Sequence, residues 1–124
     1  TKAPNDYVVV NLGTNDCFGI LFSPEQGELE AFPAAYEAFI RQIRSCNGPD
    51  THIICALGNM NYYLYHEIAE VAKKLQQEGD SKLHLLRFKP IHPFDGLGAD
   101  GHPSMPTHIK MAQELADFIR GIEA

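Results

Sequence analysis

The sequence predicts an α/β fold, a three-layer α/β/α sandwich around a parallel sheet, and three observations carry that prediction. Apolar, β-branched runs alternate three times with stretches of helical periodicity. The connections between them are short, as in right-handed crossovers between parallel strands. Runs such as Val8-Val9-Val10 are apolar without alternation, the pattern of strands covered on both faces.

Taken in order, Tyr7-Val8-Val9-Val10-Asn11-Leu12 reads as a strand stopped by Gly13. Pro33 opens a helix with Tyr36, Phe39, Ile40 and Ile43 on one face, ended by Asn47-Gly48-Pro49. The second strand is His52 to Leu57, stopped by Gly58. A helix follows from about Asn61, with Leu64, Ile68, Val71, Ala72 and Leu75 in register and Gly79 as its stop. The third strand runs from Leu83 to Phe88 and ends at Lys89-Pro90. A loop rich in Gly and Pro covers about Ile91 to Ser104. The last helix carries Ile109, Ala112, Leu115, Ala116, Ile119 and Ile122 on one face, with Pro106 in its first turn. Three strands give one central position, yet the first two runs both read as central. Doubly wound domains of this kind usually hold about five strands, so further strands are expected elsewhere.

Composition narrows the function. The 124 residues are 44% hydrophobic and 21% charged, within the soluble globular range. Ten basic against sixteen acidic residues leave a net charge of −6, so nucleic acid is not an expected partner. No apolar run approaches the roughly 20 residues that span a bilayer, so no membrane is expected either. Cys17, Cys46 and Cys55 have no CxxC spacing and make no disulfide framework.

Ligands of open parallel sheets bind beyond the carboxyl ends of the strands. Three polar segments leave those ends here: Gly13-Thr14-Asn15-Asp16, Gly58-Asn59-Met60-Asn61, and the loop holding Asp100-Gly101-His102-Pro103. Gly13 frees a backbone N–H and lets a substrate approach closely. Asn15 can aim its amide N–H at the same point, giving two donors for a developing oxyanion. The same residues also make an ordinary turn and helix cap. His102 sits beside Asp100, where it can act as a general base with its tautomer held by the carboxylate. An exposed loop histidine fits the local sequence as well.

Together, in this order, the two segments resemble the conserved blocks of the SGNH (GDSL-type) hydrolase family. Those are a Gly-x-Asn-Asp block after a central strand and a late Asp…His block before the final helix. The Asp-Gly-His spacing, followed by Thr107-His108 and Met111-Ala112, is most similar to carbohydrate esterase family 2, which removes acetyl groups from plant polysaccharides. The resemblance covers about Tyr7 to Ala116. It implies the flavodoxin-like SGNH fold, here its C-terminal βαβαβα part, with residues 1–124 one portion of a single esterase domain. It implies Asn15 as oxyanion-hole donor, His102 as catalytic base, Asp100 as its orienting partner and Gly13 at the substrate. No cofactor is implied. The substrate would be an acetylated polysaccharide such as xylan, or a small ester, and the protein would be secreted.

The family's nucleophilic serine lies in a Gly-Asp-Ser block, and none is present. The serines are Ser23, Ser45, Ser81 and Ser104, the last a better helix N-cap than a nucleophile. The expectation is therefore that an N-terminal half supplies the serine and the missing strands, and that this chain alone is inactive. Two alternatives stand beside the esterase. One is a non-catalytic α/β binding module. The other is a metal-dependent hydrolase using His92, Asp95, Asp100, His102 and His108, although no ordered ligand spacing is present. Phe18, Phe22 and Phe94 can stack on a sugar or cap the core. At least one of Tyr62, Tyr63 and Tyr65 should line the cleft or face solvent. Cys17 reads as structural, and Cys55 as buried.

Overall fold

The computed structural model describes residues 5–12, 28–58, 62, 64–90, 95, 96 and 104–123. The elements are β1 (Tyr7–Asn11), α1 (Glu28–Asn47), β2 (His52–Leu57), α2 (Tyr65–Gln77), β3 (Leu83–Arg87) and α3 (Met105–Glu123). The three strands form one parallel sheet in the order β1-β2-β3. Val9 pairs with Ile54, and Ile54 with His84.

Because side chains alternate across a strand, β2 divides its residues between two cores. Ile53, Cys55 and Leu57 face α1 and α2, where they meet Tyr36, Ile40, Ile68, Val71 and Leu75. Ile54 and Ala56 face α3, where Met111, Leu115, Phe118, Ile119 and Ile122 cover them. Every residue from Ile53 to Leu57 is fully buried. The three-layer α/β expectation holds. Cys55 is buried as expected; burial pushes its thiol up to about 11, with Tyr36 opposing, which leaves it unreactive.

Three local expectations are corrected. Helix α1 begins at Glu28, five residues before Pro33, which lies inside it. Pro33 is the sixth residue of the helix, so it offers no N–H to the Leu29 carbonyl and leaves one intrahelical bond unmade. Phe39 is 43% exposed, because α1 meets the sheet along the narrower Tyr36–Ile40–Ile43 stripe. Helix α3 is rotated from the expected face: Met111 and Phe118 pack inward while Ile109 is 62% exposed. Helix α2 starts at Tyr65, with Leu64 at its N-cap; Asn61, its expected start, lies outside the described residues.

Helix α2 stops where Gly79 was expected to stop it. Gly79 takes φ +112, its N–H bonds to the Gln76 carbonyl, and the Asp80 N–H bonds to that of Leu75. That is a Schellman closure, and it needs a residue that tolerates positive φ. Asp80 then faces α1. The Arg44 guanidinium takes both its carboxylate oxygens at 2.9 and 3.1 Å and also donates to the carbonyls of Gly48 and Thr51. Buried Thr51 in turn donates to the Asn5 carbonyl. One side chain thereby ties three connections together at the amino edge of the sheet. Charge-assisted bonds of this kind contribute about 1.5–3 kcal/mol each.

Between the sheet and α3, Tyr7, His52 and His84 form a stack closed by the edge of Phe118. His52 Nδ1 and His84 Nε2 are 2.9 Å apart, so one proton is shared between two ring nitrogens. Burial and the adjacent His52 hold His84 below the ordinary histidine range; Asp80 opposes this, while Lys82 and Arg44 add to it. A base whose proton affinity drops on folding stabilises the fold fully above the ordinary histidine pKa of roughly 6.5. That contribution is lost as pH falls through the lowered folded value. The thermal midpoint is therefore expected to be flat between pH 8 and 7 and to fall on acidification toward pH 5. His84→Gln, which still bonds but does not titrate, should flatten the fall. Glu37, held low by Lys74 and Arg41, titrates below this window. An unchanged slope in His84→Gln would exclude the pair as its source.

Candidate functional site

The carboxyl edge of a parallel sheet is where strands release their chains into loops, and three exits meet here. β1 ends at Asn11, β2 runs through Leu57 into Gly58, and β3 runs through Arg87 into Phe88. Helix α3 returns to the same edge at Ser104. Its first intrahelical bond, from the His108 N–H to the Ser104 carbonyl at 3.0 Å, puts Ser104 at the N-cap position. The Ser104 hydroxyl lies 3.3 Å from that of Thr107.

The exits are fastened to one another by polar groups. Asn11 Nδ2 donates to the Gly58 carbonyl at 3.3 Å, joining the ends of β1 and β2. The Phe88 N–H donates to the Leu57 carbonyl at 3.0 Å, extending the β2–β3 pairing one residue beyond the strand. The Tyr62 hydroxyl donates to the Phe88 carbonyl at 2.5 Å. Burial raises the Tyr62 phenol, with Arg87 opposing and Glu114 adding, so Tyr62 stays a neutral donor. The Lys89 N–H is held by the Glu114 carboxylate at 3.1 and 3.2 Å, and Lys110 pairs with Asp95 at 2.6 Å.

Gly58 is the tightest point of this edge. Its φ is +127, and a β-carbon there would lie 2.8 Å from Tyr62 Cε1 and 3.0 Å from Phe88 Cβ. Sequence reasoning recognised Gly58 as a strand stop and as the start of a polar segment at this edge, without a role of its own. The available signal was repetition: β1 and β2 both run into Leu-Gly, at Leu12-Gly13 and Leu57-Gly58. Asn11 and Arg87 were also passed over, because an asparagine and an arginine at strand ends carry no spacing signature.

The four residues expected to do chemistry, Gly13, Asn15, Asp100 and His102, lie outside the described residues. So do Phe18, Phe22, Phe94, Tyr63, His92 and Cys17. What the structure brings together is the frame: the strand ends from which the Gly13 and Gly58 segments depart, and the helix start to which the His102 segment leads. Tyr62 and Tyr65 are both half-buried at this edge. Three serines are located. Ser45 is in the last turns of α1 and Ser81 just before β3, both exposed and at the opposite edge; Ser104 caps α3. Among the described residues, no group of three or more His, Cys, Asp or Glu side chains is disposed to hold a metal ion. No described helix is long and apolar enough to cross a membrane.

A cavity of about 480 Å³ opens between the exit of β3 and α3, lined by Lys89, Pro90, Asp95, Thr107, Lys110 and Met111 among others. It lies on the flank of α3 that faces the β3 exit. The other flank faces β1, as the bond from Tyr7 to Glu123 shows. The cavity is therefore set apart from the point where the Gly13 segment leaves the sheet.

Comparison with known proteins gives a consistent picture. The model of the family described as GDSL-like Lipase/Acylhydrolase matches residues 1–115. The Cellulase/esterase CelE of Acetivibrio thermocellus is 35% identical over 118 residues, which are 91% of this chain and 14% of that protein. A family two carbohydrate esterase from Clostridium thermocellum, solved in complex with cellohexaose, superposes with a TM-score of 0.82 at 33% identity. That match covers 95% of this chain and 36% of that one. An acetyl xylan esterase from the rumen bacterium Butyrivibrio proteoclasticus has the same TM-score and coverage at 23% identity, a likeness of fold.

Gly58→Ala tests the frame. The new methyl meets two immobile neighbours at a positive φ, so a loss of about 1–3 kcal/mol is expected in urea denaturation. Gly48→Ala is the control: its φ is +91 but nothing lies within 4 Å of the added carbon, so it should cost less. Equal losses would show that backbone strain alone, without the Tyr62 and Phe88 contacts, accounts for the effect.

Proposed function

From the premise that this chain belongs to the GDSL-like lipase/acylhydrolase family, we propose that it is the part of a carbohydrate O-acetyl esterase that carries the catalytic base and an oxyanion-hole donor. The observation that carries this is the order of its motifs on the observed sheet. Gly13-Thr14-Asn15-Asp16 follows β1, and Asp100-Gly101-His102 precedes α3. Both lead from or to the edge where ligands of parallel sheets bind. The relatives named above, a family two carbohydrate esterase and an acetyl xylan esterase, support an acetylated polysaccharide as substrate.

In the proposed mechanism a serine Oγ bonds to the acyl carbonyl carbon while His102 takes its proton. The carbonyl electron pair moves onto oxygen, which accepts from the Asn15 amide and the Gly13 N–H. Collapse restores the carbonyl and expels the sugar alkoxide, which leaves with the proton held by His102. Water then repeats the sequence on the acyl-enzyme, releasing acetate. Asp100 holds the imidazole tautomer. The serine comes from outside residues 1–124, since no serine here stands in a Gly-Asp-Ser context and Ser45 and Ser81 face the wrong edge.

The sheet itself favours completion by another segment. Among the described residues nothing pairs with the outer edge of β1, and Val9 on it is 38% exposed. Both flanking helices present apolar residues toward that side. Phe39 projects from the flank of α1 opposite Glu37 and Arg41, which bind α2 residues Lys74 and Glu78. Met105 and Ile109, the latter 62% exposed, project from the β1 flank of α3. The chain spans 36% of the length of the carbohydrate esterase it matches and 14% of the curated relative. We propose that a further βα unit bearing the serine pairs with β1 and covers these residues.

Two measurements test these proposals. In an active protein containing residues 1–124 and a Gly-Asp-Ser segment, His102→Ala should lower kcat on an acetyl ester by roughly three or more orders of magnitude. Asn15→Ala should lower it by about 10²–10³ with KM little changed. His102→Ala activity within tenfold of the parent sinks the base assignment, and a rise in KM alone makes Asn15 a binding residue. The second measurement takes residues 1–124 alone, which should leave p-nitrophenyl acetate at its background rate until the serine-bearing segment is added. Turnover by the chain alone would mean that its nucleophile has been misread.

A further inference from the structure

The chain has four arginines, and three of them hold carboxylates: Arg41 binds Glu37 and Glu78, Arg44 binds Asp80, and Arg120 binds Asp117. Arg87 differs. Among the described residues it makes no ion pair and no side-chain hydrogen bond. It lies instead against aromatic rings: its Cζ is 4.5 Å from the centroid of Tyr62 and 5.2 Å from that of Tyr65. Tyr62 is itself fixed by its bond to the Phe88 carbonyl, one residue beyond Arg87.

A guanidinium attracted to ring faces is positioned without a hydrogen bond to a carboxylate or carbonyl, so its rim of N–H donors remains unspent. A rim held in position by two rings is suited to the two oxygens of one carboxylate, with less conformational freedom to lose on binding than a loose side chain has. Arg87 ends β3, at the edge from which the proposed catalytic segments depart, and Lys89 adds a second exposed cation two residues on. We propose that Arg87, seated on Tyr62 and Tyr65, is a binding site for a carboxylate carried by the ligand, and that the polysaccharide is an acidic one bearing uronate groups. The carboxylate site stands on the geometry of Arg87; its assignment to a saccharide rests on the esterase function proposed above.

The test separates the two. The Arg87 Nε–H signal is followed by NMR while residues 1–124 are titrated with glucuronate, with a xylo-oligosaccharide bearing one glucuronate, and with the unsubstituted oligosaccharide of equal length. The expected result is that both acidic probes move the signal and that the acidic oligosaccharide binds about tenfold more tightly than the neutral one, roughly the gain of one charge-assisted contact. The preference should weaken in 0.5 M salt, as screening requires. It should disappear in Arg87→Gln and survive in part in Arg87→Lys, which keeps the charge but not the rim. A response to glucuronate with no binding of either oligosaccharide supports the carboxylate site and counts against the saccharide assignment. An Arg87 signal unmoved by both acidic probes overturns the proposal, as does an acidic preference that persists in Arg87→Gln.

Discussion

Everything in this molecule is arranged around a strand that has no exposed residue from Ile53 to Leu57. A peptide buried on both faces must satisfy its backbone within the sheet, so β2 requires a parallel neighbour on each side. It must also have apolar cover above and below, which requires helices on both faces. The three layers follow. Truncating Ile54 or Leu57 would open a cavity at the junction of all three, a loss of about 2–5 kcal/mol. The flanking strands have no such obligation. β3 is buried at Leu83, half-buried from His84 to Leu86 and exposed at Arg87, and β1 is exposed at Val9.

The two edges of the sheet are stabilised by different means. At the amino edge, Arg44 and Asp80 sit in a bidentate pair that also captures two carbonyls, while Asn47 accepts from Asn5. These bonds join the connections to one another and leave the edge fully occupied. At the carboxyl edge the fastening is by steric closeness, a neutral donor and two carboxylates: Gly58 against Tyr62 and Phe88, Asn11 on the Gly58 carbonyl, Glu114 on the Lys89 N–H and Asp95 on Lys110. Arg87 there has no ion pair among the described residues, and the chain departs toward its proposed chemistry. Stability and function are thus kept at opposite ends of the strands.

Much of the fold was legible because burial writes itself as period. Ile68, Val71, Ala72 and Leu75 recur at helical spacing and are the buried face of α2. Helix α3 was misjudged because it carries apolar residues around more than half its girth, so period alone did not select Met111 and Phe118 over Ile109 and Ala112. The choice is made by the position of the sheet. Helix α1 was entered late because Pro33 resembles a start, whereas the proline lies inside a helix that begins five residues earlier. The proposed site was read from a different kind of signal. Gly13, Asn15, Asp100 and His102 stand out by identity and order, which packing does not dictate. The Arg87 stack and the approach of Phe88 to Gly58 join the start of α2 and the end of β2 to the end of β3, which meet only after folding, and no local pattern announces them.

The open edge of β1 has a consequence for how such a chain behaves at concentration. Its sequence there, Tyr-Val-Val-Val-Asn, is β-branched, uncharged and without proline, and among the described residues no lysine, bulge or covering loop blunts it. An edge of that kind is a template for any extended peptide with the same preferences, including another copy of itself. Correct pairing at β1 therefore competes kinetically with aggregation. The yield of soluble material should depend on how quickly the proposed partner strand arrives, which makes expression level and temperature, rather than the stability of the finished fold, the governing variables.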